Sequence, residues 1–194
     1  MLIRIAEPAD AAPVLRMFDG IMQWLVAQGR TGQWGTELWS TQPELVEKVE
    51  SRIRRGELRV AVDDGHPGTV LGVVSLAGQC SSYISPPPEP ELFINLLGTS
   101  RAAKGRDVGG ALLDAARAEA RRRGLRLVRV DCFAGEDGKL SAWYQSQGFT
   151  AVEPFIVRRA GLPDWPGMLL AQYLDGPSAP DAPGEPNART DGPA

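Results

Sequence analysis

The segment from Leu92 to Phe133 restricts the fold more than any other part of the chain, because it reads as strand, glycine-rich loop, helix and strand. The apolar run Leu92–Leu97 predicts the first strand, Val108–Arg123 has apolar residues at helical spacing, and Leu125–Phe133 predicts the second strand. Two strands of one sheet that are joined through a helix lie parallel, with a right-handed crossover. We therefore expect a sheet that contains a parallel pair.

The segment before this unit predicts antiparallel pairing. Leu58–Val62 and Val70–Leu76 are β-rich runs separated by the turn sequence DDGHPG, which is typical of a hairpin. The remaining predicted elements are strand Leu2–Ile5, helix Pro8–Gln28, a helix from the capping box of Thr41 and Glu44 to Gly56, helix Leu140–Gln147, and strands Phe149–Val157 and Met168–Leu174. The predicted order is β-α-α-β-β-β-α-β-α-β-β, an α/β (α+β) fold with a mixed sheet flanked by helices.

The chain divides by composition into a folded part and a tail. Its 194 residues suit one compact domain. From Asp175 the sequence reads DGPSAPDAPGEPNARTDGPA, which lacks apolar periodicity and is rich in Pro, Gly and Ala. We expect a domain over residues 1–174 and a disordered tail over 175–194.

Charge and cysteine content argue against several functions. With a net charge of -3 the chain has no overall basic field for nucleic acid or an anionic membrane. The opening MLIRIAEPAD is unlike a signal peptide, and no apolar run approaches the roughly 20 residues of a membrane helix, so we expect a cytoplasmic protein. Cys80, Cys132 and the single His66 are dispersed along the chain, which predicts neither a metal site nor a Ser-His or Cys-His nucleophile.

The loop Arg101–Gly110 is the strongest candidate for a binding site. It is glycine-rich and runs directly into a predicted helix, whose free N–H groups and dipole favour an anion such as a pyrophosphate. It has neither the GKS or GKT ending of a P-loop nor a G-x-G-x-x-G motif. Glycine-rich turns at helix starts are also common without a ligand, and a nucleotide-binding module could use the same loop, so context decides.

That context is the strand-loop-helix-strand unit followed by Trp143-Tyr144-Gln-Ser-Gln-Gly148-Phe149. Together they resemble the GNAT superfamily over roughly residues 1–174. The resemblance implies a mixed, mostly antiparallel central sheet flanked by helices, acetyl-coenzyme A as the cofactor, and transfer of its acetyl group to an amine.

The family's loop usually reads Gln/Arg-x-x-Gly-x-Gly/Ala, and Lys104–Gly109 matches it with Asp107 in place of the first glycine. We expect Asp107 to point away from the pyrophosphate, capping the helix, with Lys104 and Arg106 compensating for its charge. The family also splays the preceding strand at a bulge, for which Gly98 is the expected kink, and Asp137 replaces a customary asparagine that caps the next helix and touches the pantetheine arm. The cofactor contacts that the resemblance implies are Leu97, Gly98, Thr99, Lys104, Gly105, Arg106, Asp107, Val108, Gly109, Gly110 and Asp137.

Tyr144 stands where GNAT enzymes carry a tyrosine that protonates the departing thiolate, although a tyrosine packed on the helix face is an equal alternative. The general base is less evident. The strand before the loop offers Asn95, which could only orient a water or the substrate. Glu37, Asp131 and Glu136 are candidates for the base, and none is assigned.

The acceptor is expected to meet the segment GRTGQWGTELWS between the first two helices, which overhangs the acceptor site in GNAT folds. Trp34, Glu37 and Trp39 could enclose a cationic amine there. The two tryptophans could equally fasten the loop to the core.

These observations favour an N-acetyltransferase in which a small-molecule amine attacks acetyl-coenzyme A directly in a ternary complex. One alternative acceptor is a protein lysine or N-terminus. Another alternative is a GNAT fold that binds coenzyme A as a sensor or scaffold without catalysis. The resemblance also allows a homodimer.

Overall fold

The computed structural model describes residues 1–66, 68–135, 137–159 and 163–174, so the predicted tail 175–194 lies outside the described residues. The strands are β1 (Leu2–Ile5), β2 (Leu58–Val62), β3 (Val70–Ala77), β4 (Glu91–Thr99), β5 (Leu127–Phe133), β6 (Thr150–Val157) and β7 (Trp165–Tyr173). The helices are α1 (Ala11–Ala27), α2 (Pro43–Arg54), α3 (Val108–Arg122) and α4 (Lys139–Ser146). Strands and helices follow one another in the predicted order.

The seven strands form one sheet in the order β1-β2-β3-β4-β5-β7-β6. The pair β4–β5 is parallel, as the crossover through α3 requires, and every other neighbouring pair is antiparallel. The predicted mixed, mostly antiparallel sheet is therefore confirmed. β7, the last strand of the described residues, lies between β5 and β6 and pairs with both of them.

Helices cover both faces of the sheet. The apolar faces of α1 and α2 pack on one side, where Phe18, Met22 and Val60 are fully buried. On the other side α3 packs through Leu112 and Ala116, which are also fully buried. The two layers arise because alternate strand residues point to opposite faces of the sheet.

The start of α2 differs from the predicted capping box. Thr41 lies in a 3-10 turn before the helix and donates its Oγ1 hydrogen to Leu38 O at 2.9 Å, and Gln42 occupies the N-cap without a side-chain capping bond. Pro43 at the first helical position fixes the start instead, because its missing N–H needs no acceptor there.

Two features of the described residues bear on function. None of their helices is long and apolar enough to cross a membrane. The same residues contain no group of three or more His, Cys, Asp or Glu side chains arranged to hold a metal ion.

Candidate active site

A cleft opens where β4 and β5 separate. The two strands pair from Glu91 with Leu127 to Ile94 with Val130. Beyond that point β4 continues alongside β3 and β5 alongside β7. Asn95 and Asp131 are thus the first residues past the last pair, and both line a cavity of about 310 Å³.

The cleft passes through the sheet, because its lining comes from both faces. Successive side chains on a strand point to opposite faces, and Cys132 packs on the side of α3 and α4. Asp131 therefore faces the other side, yet both residues line the same cavity. Two reactants could meet in this cleft from opposite faces of the sheet.

The bulge in β4 is at Asn95. Leu76 pairs with Ile94 and Ser75 with Leu96, which leaves Asn95 as the extra residue. The kink expected at Gly98 is therefore misplaced, since Gly98 stays in register with Val73.

Packing, rather than a kink, explains the glycine at position 98. A Cβ there would lie 2.7 Å from Phe18 Cε1. At the bulge, Asn95 Oδ1 is buried and accepts no hydrogen bond from a described residue. An acceptor atom left in this state is expected to be satisfied by a bound molecule.

The loop before α3 presents free backbone donors. The N–H groups of Val108, Gly109 and Gly110 reach no described backbone carbonyl, and the first helical bond is that of Ala111 N to Asp107 O at 3.1 Å. The loop borders a groove of about 530 Å³ whose wall runs from Leu97 to Gly109. Free N–H groups at the start of a helix are suited to bind an anion.

Asp107 occupies the loop in a glycine-like conformation. It has φ +48, the left-handed region, and is the one described non-glycine residue with positive φ. The expected cap is absent, because the Asp107 side chain makes no capping hydrogen bond. Its carboxylate instead lies over Gly110, where a Cβ would be 2.6 Å from Oδ1, and Asp107 also lines the groove.

We expect Asp107→Asn to bind acetyl-coenzyme A about three- to tenfold more tightly than the wild-type chain, because it removes a negative charge from an anion cradle. Asparagine also tolerates left-handed φ, so the loop should keep its shape. Isothermal titration measures the change in affinity. If the change comes from charge, the difference in affinity between the variant and the wild-type chain should shrink as the salt concentration rises. Asp114→Asn, on an exposed part of the same helix, is the control and should leave the affinity unchanged. Equal or weaker binding by Asp107→Asn would show that the aspartate does not oppose the ligand.

The basic residues around the loop do not act as expected. Arg106 forms an ion pair with Asp63 at 2.6 Å and does not line the groove, so it is not placed to compensate for Asp107. Lys104 does line the groove. Arg101, which belongs to the predicted loop but was not among the expected cofactor contacts, also lines it and stacks over Trp24 at 3.9 Å from the ring centroid.

α4 closes the far side of the groove. Gly109 faces Trp143, whose Cζ2 would lie 2.8 Å from a Cβ, so this glycine allows α3 and α4 to approach. The cap expected from Asp137 is not formed, because Gly138 occupies the N-cap of α4 without a side-chain capping bond. Asp137 precedes it, accepts the Lys139 N–H at 3.3 Å and pairs with Arg30 at 2.8 Å. Asp137, Arg30 and Lys139 line a neighbouring cavity of about 580 Å³. Trp143, Arg30 and Lys139 were also missed, since their roles depend on long-range packing.

Tyr144 reaches the cleft from α4. Its side chain is 3% exposed and packs edge to face against Trp143 and Phe149. The hydroxyl makes no hydrogen bond to a described residue, and Tyr144 is one of the residues that line the cavity. Burial raises the pKa of Tyr144, so the phenol stays protonated at neutral pH. A protonated, unpartnered phenol in a cleft can donate its proton.

Asp131 provides a half-buried carboxylate on the face of the sheet opposite α3 and α4. Its Oδ2 accepts a hydrogen bond from Tyr83 Oη at 2.8 Å. Burial raises the pKa of Asp131, partly offset by that bond. Burial, followed by the charge of Asp131, raises the pKa of Tyr83 to about 12, so Tyr83 remains a donor. A carboxylate with a raised pKa is suited to accept a proton near neutral pH.

The loop that carries Tyr83 is held in place by contacts to β4 and β5. Arg129 and Glu91 form a buried ion pair at 2.5 Å, and Arg129 Nη2 donates to Ser85 O at 3.1 Å. Ile84 packs with Phe93 in a small apolar cluster. These contacts hold Tyr83 against Asp131.

The other candidates for the base have no such position. Glu37 is exposed and lines none of the three cavities described above. Glu136 lies outside the described residues. Cys132 lines the cleft, but burial raises the pKa of its thiol to about 11, so it is no nucleophile at neutral pH.

The predicted acceptor loop is only partly at the site. Trp34 lines the cleft and the groove. Trp39 is 6% exposed and stacks on Phe18 with ring centroids 4.1 Å apart, so it belongs to the core and cannot contact an acceptor. An aromatic cage built from Trp34, Glu37 and Trp39 is therefore not formed.

The sequence of this chain matches one protein family. A family model, Acetyltransferase (GNAT) family, matches residues 19–149, more than half of the chain. No curated protein sequence matches the chain.

Solved structures share the fold at low identity. A ribosomal-protein-alanine N-acetyltransferase from Brucella melitensis is 23% identical, with TM-score 0.64 over 90% of this chain and 100% of that chain. An acetyltransferase structure from Salmonella typhimurium, solved with its cofactor acetyl-CoA, is 21% identical, with TM-score 0.63 over 94% and 98%. A mutant agmatine N-acetyltransferase is 15% identical, with TM-score 0.62 over 89% and 99%.

Proposed function

Since the chain belongs to the GNAT acetyltransferase family, we propose that it transfers an acetyl group from acetyl-coenzyme A to the amine of a small molecule by direct attack in a ternary complex. The catalytic domain in this proposal is residues 1–174, followed by the tail. Tyr144 is the general acid and Asp131 the general base.

One observation carries the proposal: the split between β4 and β5 brings an unpartnered phenol and a half-buried carboxylate to one cleft. Tyr144 approaches from the face covered by α3 and α4, and Asp131 faces the opposite side. A donor and an acceptor that enter from the two faces would thus each meet the group that handles its proton.

The residues present fit coenzyme A in three respects. The free N–H groups at the start of α3 suit a pyrophosphate. Lys104 and Arg101 add positive charge along the same groove. The groove and the cleft share Leu97, so an extended arm can run from the loop into the cleft. Among the described residues that line the groove, Asp107 is the one acidic side chain, and its charge opposes the binding of an anion.

The chain's own residues then account for the protons. Bound acetyl-coenzyme A would supply an acetyl thioester, whose C–S bond breaks as the N–C bond of the amide forms. Asp131 accepts a proton from the attacking amine, and Tyr144 donates one to the departing sulfur. Overall, an ammonium and a thioester give an amide, a thiol and one released proton.

A small acceptor is favoured by the dimensions of the cleft. Its volume of about 310 Å³ is at the lower end for ligand pockets. Arg159, also part of the lining, donates to Gly32 O at 3.0 Å and to Pro163 O at 2.8 Å, which joins the α1–α2 loop to the residues just before β7.

The test is acetyl transfer to a panel of amines, followed by thiol release and by mass spectrometry of the product. The panel contains small amines, lysine peptides and peptides with free N-termini. We expect a product that is about 42 Da heavier than the small amine, because an acetyl group replaces one hydrogen of the amine. Transfer to peptides alone would show that the acceptor is a protein lysine or N-terminus and not a small molecule. Binding of acetyl-coenzyme A with no transfer to any amine would favour the sensor or scaffold instead.

A further inference from the structure

The acceptor side of the cleft carries a cation that no described acidic side chain neutralises. Arg159 donates from Nη2 to two backbone carbonyls and from Nε to Pro163 O at 3.0 Å. Among the described residues, no carboxylate lies within ion-pair distance of it. No described residue accepts a bond from Nη1, and the side chain is partly buried at the cavity wall.

The position of this guanidinium is fixed from two directions. Gly32 belongs to the α1–α2 loop, where a Cβ would lie 3.3 Å from Phe133 Cζ, so the loop is packed against the end of β5. Pro163 precedes β7, whose first residue, Trp165, lines the same cavity. A planar cation held along its Nε–Nη2 edge by two segments of the chain is preorganised to bind an anion with little loss of conformational entropy.

The balance of charge in the cavity excludes a polycationic acceptor. Asp131 is the one carboxylate among the described residues that line it, and that carboxylate is engaged with Tyr83 and assigned to proton transfer. A diamine would leave its second ammonium facing Arg159 without a counter-charge. An acceptor with both an amine and an anion would place opposite charges on Asp131 and on Arg159.

We propose that the acceptor is a small amino acid-like molecule, whose carboxylate is bound by Arg159 while its amine is presented to Asp131 and Asn95. This inference rests on the proposed function and specifies its substrate class. Asn95 lines the same cavity, and its Oδ1 has no hydrogen-bond partner among the described residues. Phe133, Val157 and Trp165 form an apolar wall for the acceptor's side chain.

The test compares matched acceptors with the wild-type protein. Each amino acid in a panel is assayed beside its carboxamide and beside the amine that lacks the carboxyl group. We expect kcat/KM to be about 10- to 100-fold higher for the acid, because a charge-assisted bond to a guanidinium is lost in the other two. Equal or better transfer to the carboxamide and the simple amine would overturn the inference and leave the acetyltransferase function in place. Absence of transfer to every amine would overturn both.

A variant assigns the preference to one residue. Arg159→Gln should raise KM for the acid about 10- to 100-fold, so that the preference for the acid over the simple amine disappears. Arg158→Gln, its exposed neighbour, is the control and should keep the wild-type preference. The melting temperature of Arg159→Gln is measured as well. A lower melting temperature would show that losing the hydrogen bonds to the two backbone carbonyls destabilises the fold, whereas an unchanged one would assign the higher KM to lost anion binding. A stable Arg159→Gln protein that still prefers the acid would contradict the assignment.

Discussion

Tyr144→Phe should lower kcat about 10²- to 10⁴-fold, the range that one general acid contributes. The substitution removes only the phenol oxygen. It leaves the ring packing against Trp143 and Phe149 intact, and no hydrogen bond to a described residue is lost. Affinity for acetyl-coenzyme A and the melting temperature should therefore stay near wild-type values. Steady-state kinetics with the best acceptor, together with isothermal titration, measure both quantities.

Tyr173→Phe is the matched control. Tyr173 lies at the far end of β7, pairs with Leu127 and is 45% exposed. Its loss should not change kcat. If Tyr144→Phe retained full turnover, the phenol would have a packing role alone, which was the alternative interpretation of the sequence.

Asp131→Asn should lower kcat/KM about 10²- to 10³-fold at neutral pH, because asparagine cannot accept a proton from the amine. It can still accept the Tyr83 hydrogen bond. Burial raises the pKa of Asp131, so the ionised carboxylate destabilises the fold above that pKa, and removing its charge should preserve or raise the melting temperature at neutral pH. Kinetics and thermal denaturation of the same sample separate the two effects. Asp64→Asn, at an exposed turn, is the control.

The pH profile tests the same assignment. As pH falls through the raised pKa of Asp131, the base becomes protonated and kcat/KM of the wild-type enzyme should fall. Tyr83→Phe removes the bond that lowers this pKa, so the acidic limb should move to higher pH. Asp131→Asn should abolish the limb. An unchanged acidic limb in Asp131→Asn would show that another group is the base.

The sequence was sufficient where local patterns decide the structure. The parallel crossover, the free N–H groups at the start of α3 and the position of Tyr144 before a glycine turn all depend on residues that are close in the chain. Their periodicity and turn chemistry are visible without tertiary structure. The order of elements could be predicted for the same reason.

Sequence was insufficient where pairing and packing decide. The bulge at Asn95 is a property of register with β3, which one strand alone does not reveal. Asp131 became a strong candidate only once β4 and β5 were seen to separate beside it. Trp39 looked available to a ligand until its stacking on Phe18 was known. Arg159 meets Gly32 across 127 residues of chain, so no local signal points to it.

The most direct test of the central claim is isothermal titration of the purified protein with acetyl-coenzyme A, with ATP and NAD as separate controls. We expect micromolar binding of acetyl-coenzyme A and little binding of either control, since the pantetheine arm and thioester should occupy the groove and the cleft. Absence of acetyl-coenzyme A binding would contradict the transferase assignment. Equal binding of ATP would show that the loop before α3 holds a nucleotide rather than coenzyme A.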